Sequence, residues 1–224
     1  MCGRFSLAID DIEDLALRFH VPLPDTSVQP RYNIAPAQPL LTVAHVQGKR
    51  QLIPMLWGLV PHWNKSAKSS YTLINIRSES LTEKPLFKRY FEHQRCLVPA
   101  DGFFEWKKAG TKKIPYRAIV KKEPIFAFAG LWDFITQPDG SKAYCFTILT
   151  TEANDLLRPI HDRMPVILLP DEEDKWLDPS IQVGAHLQPL LHPYPAKRME
   201  VYEVSPKVNS WKNDTPECIE PKAN

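Results

Sequence analysis

Between residues 96 and 150 the chain repeats one pattern: a short apolar run rich in β-branched and aromatic side chains, then a turn. Cys96–Val98, Phe103–Lys107, Tyr116–Val120, Ile125–Trp132 and Tyr144–Thr150 each have the length and composition of a strand. So dense a succession of short strands argues against a repeated βαβ unit with its long helical crossovers. The expectation is a compact α+β fold, with a curved mixed or antiparallel sheet or an open barrel and peripheral helices.

The flanking segments fit that frame. Cys2–Leu7 reads as a short strand, and Asp10 with Glu13 three positions on predicts a capped helix whose apolar stripe is Ile12, Leu15, Ala16 and Phe19. Leu40–Val46 and Leu52–Trp57 around Gly48 predict a hairpin, and Pro85 near the start of Glu83–His93 suits a second helix. Val166–Leu169 reads as a strand and Pro170–Leu177 as a short helix opened by proline and acidic residues. With 224 residues, one core is the default, so residues 2–212 are expected to form a single domain and 213–224 a flexible polar tail.

No apolar stretch is long enough to cross a bilayer, and the first residues lack a basic segment followed by an apolar run, so a soluble, cytoplasmic, monomeric protein without membrane contact is expected. Cys2, Cys96, Cys145 and Cys218 are widely spaced with no CxxC pair, which suits a reducing compartment and gives no basis for a metal site or cofactor. The net charge is only +2, but Lys107, Lys108, Lys112, Lys113, Arg117, Lys121 and Lys122 are concentrated in one region. Such asymmetry can make a basic face for phosphates despite the small total, although lysines near hairpin turns are more often solubilising.

Cys2 stands directly after the initiator methionine. Removal of Met1 leaves an α-amine and a thiol on one residue, and both can attack a single aldehyde carbon to close a five-membered thiazolidine. An internal cysteine cannot do this, because its nitrogen is an amide. A free α-amine titrates at about 7.7 to 8.0, so a useful fraction is neutral and nucleophilic near neutral pH. By position alone, Cys2 is more simply the first apolar residue of a terminal strand.

Six ordered blocks add to this reading: Met1-Cys2-Gly3-Arg4-Phe5, Tyr32-Asn33-Ile34-Ala35-Pro36, Trp57-Gly58-Leu59-Val60-Pro61, Asn75-Ile76-Arg77-Ser78-Glu79, Asp101-Gly102-Phe103-Phe104-Glu105-Trp106 and Ile160-His161-Asp162-Arg163-Met164-Pro165. Together they resemble the motifs of the SRAP family over nearly the whole chain. The resemblance implies an abasic-site processing protein that binds single-stranded DNA and forms a stable DNA-protein crosslink, with Cys2 exposed in a DNA-binding cleft. It implicates Cys2 as nucleophile, Asn75 as the group positioning its amine, Glu105 as acid/base and His161 beside the opened sugar. It also places Arg4, Arg77 and Arg163 near DNA phosphates. Apart from the resemblance, Trp57, Trp63 and Trp106 suit either core packing or the lining of a cleft, and Trp63 and Trp106 are taken as DNA-contacting candidates. Phe103-Phe104 departs from related motifs, which frequently use tryptophan or tyrosine there.

The chemistry agrees with these roles. An abasic deoxyribose must open before its aldehyde can be attacked, and a carboxyl group such as Glu105 can move the protons involved, its affinity raised by apolar neighbours. Capture of an iminium by the thiol closes the ring, whereas a pause at the Schiff base permits β-elimination, a weak lyase activity. The expected partners are single-stranded DNA with abasic sites, a methionine aminopeptidase for maturation, and replication or repair proteins. Two rival readings use the same residues: an N-terminal cysteine autopeptidase or peptidase assisted by His161 and Glu105, and a non-covalent reader of single-stranded or modified DNA.

Overall fold

The computed structural model describes residues 2–60, 72–137, 139–182 and 184–222. The strands are β1 (Phe5–Leu7), β2 (Arg31–Ile34), β3 (Pro39–Val46), β4 (Lys49–Trp57), β5 (Asn75–Arg77), β6 (Arg95–Ala100), β7 (Gly102–Ala109), β8 (Lys112–Val120), β9 (Phe126–Thr136), β10 (Lys142–Glu152), β11 (Arg163–Pro165) and β12 (Met199–Glu203). Among the described residues, four α-helices are peripheral: α1 (Ile12–Arg18), α2 (Pro85–His93), α3 (Pro170–Leu177) and the single turn α4 (Gly184–Leu187).

The expected curved sheet closes on itself. The order β10-β4-β3-β6-β9 returns to β10 through its antiparallel pairing with β9, giving a five-stranded barrel. The β4–β10 contact is parallel and short, Cys145 opposite Leu56 and Phe146 opposite Trp57. Beyond it, the same strand runs parallel to β5, with Ile148 opposite Asn75 and Thr150 opposite Arg77. Its other partner there is β11, where Thr150 pairs with Pro165 and Glu152 with Arg163. The end of β10 therefore draws the Asn75 and Arg163 segments together.

A second, antiparallel sheet has the order β12-β8-β7-β1-β2. It packs on the barrel through aromatic rings: Phe5 lies 5.0 Å from Trp57 and 5.6 Å from Phe128 between centroids, and Phe103 lies 6.0 Å from Phe128. These edge-on contacts add specific geometry to the apolar burial. The sheet's other face carries a smaller cluster of Phe104, Val204, Val208 and Cys218.

Three local expectations change. The N-cap of α1 is Asp11 rather than Asp10, because Asp11 has the extended backbone and its carboxylate accepts the Glu13 N–H at 2.9 Å. The strand expected at Val166–Leu169 is displaced to Arg163–Pro165, leaving only an isolated bridge from Ile167 to Phe128. The third change concerns residues 213–222, expected as a tail. They pack against the domain: Asp214 accepts the backbone N–H groups of Tyr32 at 2.5 Å and Asn33 at 2.9 Å, and pairs with Arg31 at 2.6 Å. Cys218 is buried, and Lys222 donates its backbone N–H to Glu203 at 2.9 Å. Polar composition concealed this attachment because hydrogen bonds to β2 contribute much of it.

Candidate active site

Two-residue alternation along β7 decides which way each side chain of the Asp101–Trp106 block points. Phe103 and Glu105 share one face and are both buried, while Phe104 and Trp106 occupy the other with the small apolar cluster. Phe5 pairs with Phe103 and Ser6 with Gly102, so continuing that antiparallel register brings Glu105 level with Gly3, next to Cys2. The proximity registers electrostatically: the Glu105 charge pushes the Cys2 thiol pKa upward, adding to the larger effect of burial.

Cys2 is fully buried, and its thiol lies 3.6 Å from the Arg4 carbonyl. This corrects the expectation of an exposed cysteine: in the chain that begins with Met1, Cys2 belongs to the main apolar core. Its backbone carbonyl accepts a 2.7 Å hydrogen bond from Asn75 Nδ2. Among the described residues, Asn75 Oδ1 is buried without a hydrogen-bond partner, an arrangement that costs free energy unless another donor arrives.

Glu105 is only 3 % exposed, and burial raises its pKa to about 7. Near neutral pH it can therefore both accept and release a proton. It lines a cavity of about 480 Å³ together with Trp106, Lys108, Lys113, His161 and Asn209. His161 Nδ1 lies 3.0 Å from the Arg163 N–H and 2.9 Å from Asp162 Oδ1, and these contacts ask for opposite protonation states. Burial lowers the His161 pKa and the nearby Lys108 charge acts in the same direction, against Asp162. The ring is accordingly neutral at pH 7, with Nδ1 as acceptor and the proton on Nε2. Asp162 is then placed to stabilise the imidazolium when a proton is taken up.

The arginines differ from one another. Arg4 holds β1 to the C-terminal segment, donating to Asn33 Oδ1 at 2.8 Å and to the Val208 carbonyl at 2.9 Å. Arg163 is buried in a two-pronged pair with Glu79, at 2.7 and 2.9 Å, and donates to the Thr150 carbonyl at 2.6 Å. Arg77 is exposed at the end of β5. Trp106 donates its indole N–H to Asn209 at 2.7 Å, and Trp63 lies outside the described residues. Among the basic residues singled out by sequence, Arg117 is turned inward to pair with Asp101 at 2.9 Å and leaves the surface set.

Cys2, Asn75, Glu105 and His161 thus come from four separate stretches of sequence: Asn75 bonds Cys2, Glu105 lies near enough to Cys2 to shift its thiol, and Glu105 shares its cavity with His161. Lys108, Lys113 and Asn209 also line that cavity, and sequence reasoning did not assign them to the site. The signal available was the hairpin: a β7–β8 turn around Gly110 places Lys108 directly opposite Lys113. Among the described residues, no group of three or more His, Cys, Asp or Glu side chains is arranged to hold a metal ion, and no helix is long and apolar enough to cross a membrane.

Comparison with known proteins agrees with the fold and the residue pattern. The abasic site processing protein YoqW of Bacillus subtilis (strain 168) is 45% identical over 223 residues, covering 98% of this chain and 99% of that protein. The abasic site processing protein HMCES of Xenopus tropicalis is 35% identical over 222 residues, covering 85% of this chain and 66% of its own. A crystal structure of a Bacteroides thetaiotaomicron protein superimposes with a TM-score of 0.85 at 29% identity, covering 99% of this chain and 100% of that one. The family described as SOS response associated peptidase (SRAP) matches residues 1–211, and the chain belongs to that family.

Proposed function

We propose that this protein captures abasic sites in single-stranded DNA as a covalent thiazolidine on mature Cys2. The observation that carries this reading is the convergence of Cys2 with Asn75 and Glu105 beside a cavity that His161 also lines. YoqW and HMCES are named as abasic site processing proteins, which supports the abasic-site part of this reading.

The state of each group suggests an order of events. Burial keeps the Cys2 thiol protonated, so the α-amine released by removal of Met1 is the first nucleophile. Asn75 Oδ1, buried beside Cys2 and lacking a donor, would accept a hydrogen bond from that amine and direct its lone pair. Glu105 transfers the proton that opens the hemiacetal, and its pKa of about 7 suits both directions of transfer. His161, neutral and carrying its proton on Nε2, donates to the opened hydroxyl. The amine adds to the aldehyde and water leaves, giving an imine. The thiol then adds to the imine carbon, its proton passing to nitrogen through Glu105, and the ring closes.

The exposure of Arg77 at the end of β5 supports it as the arginine that would meet a phosphate directly. In this reading Arg4 and Arg163 contribute chiefly by fixing the backbone around the site, and Trp106 forms part of the wall. Reversal of the crosslink and weak β-elimination both pass through the same imine, so both would depend on Glu105.

The test is intact mass. Mature protein incubated with single-stranded DNA carrying one abasic site should yield a denaturation-resistant species equal to protein plus DNA minus water, absent in Cys2→Ala. Folded wild-type protein that forms no adduct would sink the proposal. Cleavage of added peptides by the mature protein, lost in Cys2→Ala, would favour the peptidase reading instead.

A further inference from the structure

The β7–β8 hairpin carries four lysines, Lys107, Lys108, Lys112 and Lys113. Lys108 and Lys113 are directly opposed across the two strands. Side chains so paired share one face of the sheet and have Cβ atoms roughly 5 Å apart, and like charges at that spacing destabilise the pairing. Among the described residues, neither lysine has an ion-pair partner that would offset this. Both line the cavity that also holds Glu105 and His161. Near pH 7 the histidine is uncharged and Glu105 is only partly ionised, so the cavity wall carries an excess of positive charge.

We infer that Lys108 and Lys113 form a clamp for one phosphodiester of the DNA strand, adjacent to the sugar captured at Cys2. The inference rests on the covalent-capture reading and adds to it a specific recognition element for the backbone. A phosphate between the two ammonium groups converts their mutual repulsion into two attractive contacts. Its oxygens also lie in the cavity that holds the acid/base pair, so the clamp fixes the register in which the sugar enters. Trp106, anchored to Asn209, forms the adjoining wall and limits where the strand can lie.

The clamp is separable from the chemistry by equilibrium binding to single-stranded DNA containing a tetrahydrofuran abasic analogue, which has no aldehyde to trap. Lys108→Gln and Lys113→Gln are exposed hairpin substitutions, and Lys121→Gln, just past the far end of β8 and roughly 27 Å from Lys113, is the control. Each clamp substitution should lower the slope of log affinity against log salt by about 0.7, and the control should leave it unchanged. A series of DNAs with single neutral methylphosphonate linkages should contain one position that weakens wild-type binding and has no further effect on the Lys108→Gln, Lys113→Gln double variant. Wild-type slopes retained by the double variant, or additive losses at every linkage, would overturn the clamp while leaving covalent capture intact. No binding of wild-type protein to the analogue would likewise overturn the clamp, whereas failure to form the adduct in the intact-mass test would remove the reading on which it depends.

Discussion

Asn75 Nδ2 donates to the backbone carbonyl of Cys2 at 2.7 Å, which ties a short strand on the barrel to the amino-terminal end of the other sheet. The contact explains how a terminal residue can be held in place before its own amine is free. Asn75→Ala removes this tether together with the unsatisfied Oδ1. We expect the single-turnover crosslinking rate to fall on the order of tenfold, equivalent to the ~1.4 kcal/mol typical of one well-placed hydrogen bond, with circular dichroism unchanged. A rate equal to wild type would remove Asn75 from the mechanism.

Glu105 should make stability depend on pH. Its pKa is raised from 4.5 to about 7 in the folded state, so folded protein binds more protons than unfolded protein between those values. Its contribution is fully present below about pH 4.5 and is lost as pH rises through 7, by on the order of 3 kcal/mol. Glu105→Gln should abolish that component. Denaturant unfolding at pH 5 and pH 8 checks it: the drop seen in wild type should shrink in the variant, and equal drops would refute the assignment.

His161 should titrate below the ordinary histidine value of 6.5, because burial disfavours its charged form and Lys108 acts in the same sense. Lys108→Gln should raise the His161 pKa, read from its ring proton shifts by NMR. An unchanged titration would show that the lysine charge does not reach the ring.

Gly102 has no room for a side chain, since a Cβ there would meet Arg117 Nε at 2.6 Å. Arg117 is held between Asp101 and the Tyr202 hydroxyl, at 2.9 and 2.8 Å. Gly102→Ala should displace this buried guanidinium and destabilise the fold by about 3 kcal/mol, measured by chemical denaturation. Stability within ~0.5 kcal/mol of wild type would show that the network yields easily.

Much of this architecture was legible in the sequence. The strands from Arg95 to Glu152 and the 39–57 hairpin followed from composition and turn spacing, since each is a local pattern. Barrel closure was not legible, because it depends on the short parallel contact between Leu56-Trp57 and Cys145-Phe146, far apart in sequence. The motif containing Asn33 could be read as a block, but its work could not. Its side-chain amide donates to the carbonyls of Val208, Ser210 and Asn213, and no periodicity encodes such contacts. The same blindness produced the expectation of a loose tail after residue 212.

That attachment gives another prediction. Asp214→Ala should leave the Tyr32 and Asn33 N–H groups without their acceptor and cost about 2 kcal/mol. Hydrogen exchange should accelerate in residues 208–222, where the contacts with β2 are lost. Unaltered protection there would show that the segment is held by other means.

Arg4 reaches Val208 across 204 positions of sequence. On the ribosome, the anchor for the amino-terminal strand is therefore translated long after the strand itself, which must wait undocked while the intervening barrel is synthesised. In the covalent-capture proposal, that interval is when an exopeptidase would remove the initiator residue. The late segment then emerges and clasps Arg4, so on that proposal the order of synthesis would separate maturation from reactivity.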